Sequence, residues 1–371
     1  MKDSLLVICL LIFEVFLNGC SKPNDTLVKH PSGKIVFRGI DKSDTESLPQ
    51  LYAILWRNGK PQTEKLSPDG IVVKNLFSNQ KTLWYSFSSE AGKTKITCLS
   101  PISTPEYTSS LIPDHGSLSP DGNQILFASS ANKPRVNKSK IPLSDIFLLD
   151  IKANKLTRIT DKGHNVGPSW SPDGKKIAFY QMDEQEAGNE EGDKGSPGFA
   201  LMVMDTDGSN LRQLAAPGYL INLYWEQAPQ WSPDGAQIAF ITKPDIQEQP
   251  GLYTVELSQN KISLISAKAG YPAWSPDGTE MAYSRFFGKE GSELHTRILN
   301  TDKDILLASK PGFHEKTFWS PDGNHLGFIS DGRLFVVDRK GNNREQVSPE
   351  NIVIQDQKSE LFWLPDDTLS K

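Results

Sequence analysis

Five short segments of this chain are near-copies of one another: SLSPDGNQILFAS from Ser117, SWSPDGKKIAFYQ from Ser169, QWSPDGAQIAFIT from Gln230, AWSPDGTEMAYSR from Ala273 and FWSPDGNHLGFIS from Phe318. Looser copies flank them. His30-Pro31-Ser32-Gly33-Lys34 precedes IVFRG, Phe77-Ser78-Asn79-Gln80-Lys81 precedes TLWYSF, and Phe362-Trp363-Leu364-Pro365-Asp366 lies near the C-terminus. With the motif serine or its equivalent at 32, 78, 119, 171, 232, 275, 320 and 364, five of the seven separations fall between 41 and 46 residues. Self-similarity at that period marks a chain made of copies of one supersecondary unit, and a four-stranded propeller blade has that length.

The motif has a turn mechanism. Pro presets φ, Ser can bond back to the backbone, and Gly closes a tight type I turn without Cβ strain. Short apolar strands lie on either side. Trp170, Trp231, Trp274, Trp319 and Trp363 each end one strand, and Ile177 with Phe179, or Ile238 with Phe240, marks the next. A third strand is read in DIFLLD from Asp145, ALMVMD from Ala200, GLYTVEL from Gly251 and RLFVVD from Arg333. A fourth is read in KLTRIT, LRQLAA, KISLIS and REQVS, joined by hairpin turns such as Asp205-Thr206-Asp207-Gly208. Runs like ALMVM, apolar at successive positions, suit strands buried on both faces, as stacked blades require. Composition agrees: 25 Pro against 5 Met lean toward strands and turns, and a net charge of −5 argues against a nucleic-acid binder.

This pattern resembles the WD40-like PD40 repeats of the TolB propeller family over residues 30–367. The resemblance implies an all-β propeller of four-stranded blades. Eight motifs, the first without a preceding strand and the last without following ones, predict seven blades, with six or eight as alternatives. The seventh closes if Glu360–Leu364 supplies the inner strand of the blade begun at Lys34. That closure hides the sheet edges. TolB carries an α/β domain ahead of its propeller, and only Ser21–Lys29 is available here, so its role does not transfer with the fold. Dipeptidyl-peptidase relatives append a hydrolase domain, and no G-x-S-x-G elbow is found. His314-Glu315 begins like a zinc-protease motif, but Phe318 stands where the second His belongs. Oligogalacturonate lyases of this propeller family use a close His pair, and no two of the six histidines here lie closer than His314 and His325. A lyase is disfavoured on that ground without being excluded.

Residues 1–19 read as a signal peptide. Lys2 opens a weakly positive region, and Leu5–Leu17 is apolar but short for a membrane span. Leu17-Asn18-Gly19-Cys20 resembles the bacterial lipobox, which implies a diacylglycerol on Cys20, then a tether over 20–29. An ordinary secretory signal is the alternative. Cys9 would leave with the signal, so Cys98 alone remains and reads as a small apolar residue. The implied location is the cell envelope, facing the periplasm from the outer membrane if there is one.

Function is less constrained. Loops approaching the inner strands carry Asp114, His115, His164, Asn165, His314 and Glu315 as candidate channel residues; a solvated channel explains them as well. The segment Pro217–Pro229 is the longest such approach. Its Tyr219, Tyr224, Trp225, Glu226 and Gln227, with Tyr271 of the next repeat, are candidate binding residues: a lip of aromatics beside polar groups, or simple packing over the blade tops. An acidic stretch, Gln181–Gly198, and a basic one, Ala131–Lys140, read as solvated insertions; the acidic spacing does not match a calcium loop. No catalytic residue, metal or cofactor is assigned. The expected role is a lipid-anchored module binding an envelope protein or glycan, without nucleic acid. A channel-site polysaccharide lyase or hydrolase is the alternative.

Overall fold

The computed structural model describes residues 31–366 apart from 45–47, 69–70, 80–81, 89–93, 100–106, 110–114, 130–143, 162–164, 183–197, 220–226, 243–249, 311–313 and 355–360. Its strands form seven antiparallel sheets, the blades of a β-propeller. We number the blades along the chain. Blade 2 begins at Val73–Ser78, blade 3 at His115–Leu118, blade 4 at Asn165–Trp170, blade 5 at Gln230–Trp231, blade 6 at Ala269–Trp274 and blade 7 at His314–Trp319. Each of these is an inner strand, and three further strands lie outside it in chain order.

Blade 1 joins the two ends of the chain. Its inner strand is Leu361–Leu364, followed outward by Lys34–Asp41, Gln50–Arg57 and Lys60–Lys65. Ile35 pairs with Trp363, Val36 with Phe362 and Phe37 with Leu361, the closure expected from the motif count. A second junction was not foreseen: Ile352–Val353 pairs with Ile40 and Asp41. Trp363 stacks on Trp56 at 5.6 Å, and its indole N–H donates to the Ser32 carbonyl at 2.8 Å.

The SPDG motifs make five equivalent turns. In each, the Gly N–H donates to the Ser carbonyl at 2.8–2.9 Å, and the Ser hydroxyl donates to the Asp carboxylate at 2.6 Å. The Ser oxygen in turn accepts the N–H that opens the second strand, from Gln124, Lys176, Gln237, Glu280 or His325. The glycines hold φ between +68° and +76°, the left-handed region that disfavours a side chain. Gly174, Gly235, Gly278 and Gly323 each face the proline of the preceding blade's turn, so the turns form a continuous arc on one face.

The tryptophans link blades. The indoles of Trp170, Trp231, Trp274 and Trp319 donate to the carbonyls of Ser117, Ser169, Gln230 and Ala273, each in the preceding blade. Arg339 adds a local clamp: it bonds Asp277, Thr279 and Glu280 of blade 6 while its guanidinium lies 5.3 Å from the Trp319 ring centroid.

Second strands are buried on both faces, and period two sends alternate side chains to the two neighbours. Ile177 and Phe179 pack toward blade 3 with Leu126 and Ile146; Ala178 and Tyr180 pack toward blade 5 with Ile238 and Phe240. The equivalent Phe127, Phe179, Phe240, Tyr283 and Phe328 are at most 2% exposed. Cys98 is half-buried against the cluster around Phe77 and Trp84.

Candidate functional site

Opposite the turns, inner strands carry irregularities that the turn face lacks. Pairing with the second strand shifts register between Val166 and Ser169 in blade 4, Gly270 and Ala273 in blade 6, and Glu315 and Thr317 in blade 7. The residue inside each bulge has positive φ: Gly167 at 60°, Tyr271 at 55° and Lys316 at 43°. For a bulky side chain such a backbone costs about 1–3 kcal/mol and must be held by its surroundings. Tyr271 is held at both ends. Its N–H donates to Gln227 Oε1 at 2.6 Å, and its carbonyl accepts the Thr317 hydroxyl at 2.7 Å. One relay thus runs from the approach to blade 5, through blade 6, into blade 7.

The relay fixes the Gln227 amide. A backbone N–H can only donate, so the amide oxygen must face Tyr271 and Nε2 points away. Gln227 is 9% exposed, and its Nε2 is buried without a partner. Tyr271 itself is buried and meets Phe286 edge-on at 6.0 Å. It is therefore no part of an exposed lip. The bulge turns its ring down onto the blade, and its backbone bonds Gln227 and Thr317.

Asn165 is also engaged structurally. Its N–H donates to the Ser144 carbonyl, its carbonyl accepts the Ser144 hydroxyl, Nδ2 donates to Thr160, and Oδ1 accepts from Gln181. It straps blade 3 to blade 4. His115, His314 and Glu315 lie in inner strands, paired with Ala128, Ser330 and Ile329; their side chains are outside the described set. Tyr219 ends the outer strand Arg212–Tyr219 opposite Gly198, so the first part of Pro217–Pro229 is strand rather than loop. Asp114, His164, Tyr224, Trp225, Glu226 and Cys20 lie outside the described residues, as do Ala131–Lys140 and nearly all of Gln181–Gly198.

Two groups escaped sequence reasoning. Tyr180, wholly buried between blades 4 and 5, accepts the Ile241 N–H at 3.1 Å, and burial pushes its phenol well above the usual range. The signal was a Tyr in KIAFY where the next copy reads QIAFI. His295 sits in the seam of blades 5 and 6, with Nε2 2.9 Å from Glu293 and its ring stacked on Tyr283, whose hydroxyl donates to Asp304. Arg285 and Arg297 cross that seam to Ser266 and the Ile265 carbonyl. Among the described residues no group of three or more His, Cys, Asp or Glu is placed to hold a metal.

Residues 187–361 match the PD40 family model, described as the TolB beta propeller domain. No curated protein matches the chain. Among solved structures, TolB from Acinetobacter baumannii aligns with 15% identity over 91% of this chain and 69% of that one, with a TM-score of 0.51. An oligogalacturonate lyase from Vibrio parahaemolyticus aligns with 14% identity over 85% and 86%, TM-score 0.56. A puromycin-hydrolyzing peptidase from Mycobacterium tuberculosis aligns with 14% identity, TM-score 0.61; 86% of this chain covers only 53% of that one, about half its length. At such identities the likeness shows the fold, and these relatives differ in what they do. Repeat, turn chemistry and topology agree: the chain is a seven-bladed β-propeller whose residues 187–361 are similar to the TolB beta propeller domain of the PD40 family.

Proposed function

We propose that this propeller is a lipid-anchored binding or assembly module of the bacterial cell envelope, and that it takes a protein or glycan partner on the face opposite the SPDG turns. One observation carries the binding role. Beneath the described part of that face lies a hydrogen-bonding group, the Gln227 amide, whose oxygen is fixed by a strained backbone and whose donor end is buried without a partner. Fixed donors without partners suit recognition. Leu17-Asn18-Gly19-Cys20 supports the anchor, and the envelope follows from it.

The test is a pull-down from solubilised membranes with the full chain, comparing wild type and Trp225→Ala. The expected result is a discrete partner or glycan retained by wild type and lost by the variant, with nearly unchanged melting temperature. A variant several degrees less stable that still captures its partner would mean that Trp225 only covers the core, ending the aromatic part of this reading. A divalent metal retained by the purified protein would favour a channel enzyme. For the anchor, Cys20→Ser should leave the membrane fraction.

A further inference from the structure

The outer strands of the blades are the edges of the propeller. A flat, apolar, open edge invites another chain to pair with it, and natural sheets guard their edges with charge, Pro, brevity or a covering element. Most edges here are guarded in one of these ways. Blade 1 ends on Lys60–Lys65, which contains Pro61 and Glu64, and blade 3 on Lys155–Arg158, charged at both ends. The outer strands of blades 2 and 7, Tyr107–Ser109 and Glu345–Gln346, are short. Blade 4 ends on Arg212–Tyr219, broken by two register shifts and Pro217. In blade 6 a turn of the next blade lies against the outer strand Lys303–Lys310: a Cβ on Gly341 would stand 3.3 Å from Leu307 and 3.4 Å from the Leu306 carbonyl.

Blade 5 is the exception. Its outer strand Lys261–Ala267 pairs with Gly251–Glu256, and no strand lies beyond it among the described residues. From Ile262 to Ala267 it holds neither charge nor Pro. Ile262 and Leu264 are 45% and 52% exposed. Two residues apart on a strand, they share one face. Their backbone groups also turn outward. The Leu257 N–H points inward to the Ala236 carbonyl, so by alternation Glu256 and Thr254 turn toward Lys261 and Ser263, and the N–H and C=O groups of Ile262 and Leu264 point away from the blade. The open stretch ends at Ile265, where the ladder shifts register and Arg297 of blade 6 donates to the carbonyl at 2.6 Å.

From this we infer that the blade 5 rim pairs with the same strand of a second copy of this chain, antiparallel about a two-fold axis through Ser263. The open stretch is complementary to itself in that register. Ile262 stands opposite Leu264 of the second copy, and Leu264 opposite its Ile262. Both residues turn their backbone groups outward, so each pair exchanges both main-chain bonds. The exposed isoleucines and leucines meet on one face of the joined sheet, and such cross-strand apolar pairs are favourable. Lys261 falls opposite Ile265, so no like charges meet directly. An identical copy thus matches the open stretch in backbone, side chains and charge at once. The contact is small, which places it among weak, transient interfaces. It lies on the rim, so it goes beyond the binding-module reading and leaves the face opposite the turns free.

The experiment is hydrogen exchange of the full chain as its concentration rises from about 10 μM to about 1 mM. Pairing should slow the Ile262 and Leu264 amides about threefold or more, and leave the Ser263 amide, already bonded inward, unchanged. Leu264→Lys puts a charge at an exposed position; it should abolish the concentration dependence while the melting temperature stays within about 2 °C of wild type. Ile262→Glu should do the same. The two changes together set opposite charges across the axis, so slowing should return at low salt and fade at high salt. Exchange independent of concentration in wild type, slowing that persists in Leu264→Lys, or no return in the double variant would overturn the pairing. Slowing that requires added membrane extract in place of a second copy would also overturn it, giving the edge to another protein. Each of these outcomes leaves the binding-module reading standing, because that reading concerns another surface.

Discussion

The two faces of this propeller follow opposite rules. On the turn face, five blades repeat the same bonds to within 0.1 Å: Gly N–H to Ser carbonyl, Ser hydroxyl to Asp, strand N–H to Ser oxygen. On the opposite face the blades share an inner-strand bulge but fill it differently. The bulge residue is Gly167, Tyr271 or Lys316, among the described residues Gln227 of blade 5 does not pair with Ile241, and a relay of unlike groups crosses blades 5 to 7. Bonds that recur in every repeat stabilise every repeat. Polar groups that occur once, and lack partners, stabilise none. The difference separates what holds every blade from what varies between them.

The strongest way to break the ring is at its junction. Deleting Glu360–Lys371 removes the inner strand of blade 1, the Trp363–Trp56 stack and the Asp366 acceptor of the Gly33 N–H. The truncated chain should unfold or melt far below wild type by circular dichroism, because two strand edges are bared together. Near-normal melting would place the closure elsewhere.

A single tryptophan should matter next. Trp319→Ala removes an indole bond across blades and the surface beneath Arg339, and leaves a cavity beside Phe328 and Leu326. About 3–5 kcal/mol of stability should be lost in denaturant unfolding. Trp319→Phe, which keeps the ring and loses the donor, should cost about 1–3 kcal/mol through the orphaned Ala273 carbonyl. Equal losses in the two variants would mean that the bond contributes nothing.

Acid should act on the turn face. Serine hydroxyls first, then backbone N–H groups, hold Asp173 and Asp234 below the usual carboxylate range; for Asp121 the Ser119 hydroxyl leads. Burial raises Asp322, but bonds from Ser320, Asn324 and Ser32 outweigh it and bring it to about 2. Burial is likewise outweighed at Asp277, by Ser275 and Arg339. These folded values lie below the unfolded one, so their stabilisation is complete above about pH 4 and is lost as pH falls toward 2. The melting temperature should drop across that window, and Asp322→Asn should flatten the drop. An unchanged slope would show that the Ser–Asp bonds do not couple to folding.

Much of the fold was legible because its causes are local. Ser, Pro, Asp and Gly at fixed offsets make a turn wherever they occur, and alternating apolar residues beside it make strands. Even the junction of Leu361–Trp363 with Ile35–Phe37 could be read, since the motif count left one blade short of a strand. Contacts between blades were not legible. Each tryptophan was read as a strand end, yet its indole reaches a carbonyl 44 to 62 residues earlier in four blades, a distance set by how repeats stack. Tyr271 reads as a surface aromatic in isolation; a bulge and a glutamine 44 residues away turn it inward. Tyr180 is core, but its hydroxyl also reaches the next blade and accepts the Ile241 N–H. Of the candidate residues, Gln227 bonds the Tyr271 N–H and Asn165 straps blade 3 to blade 4.

The comparison of the faces rests on one contrast, and two isosteric changes measure it in a single thermal melt. Ser275→Ala removes a repeated bond and orphans the buried Glu280 N–H; it should cost about 2 kcal/mol, or about 3 °C for a domain of this size. Thr242→Val removes a hydroxyl that has no partner and sits on a strand that favours valine. Its melting temperature should equal or exceed that of wild type. A Thr242→Val protein melting as far below wild type as Ser275→Ala would contradict the account, because an unpartnered hydroxyl would then stabilise the fold as much as a repeated bond does.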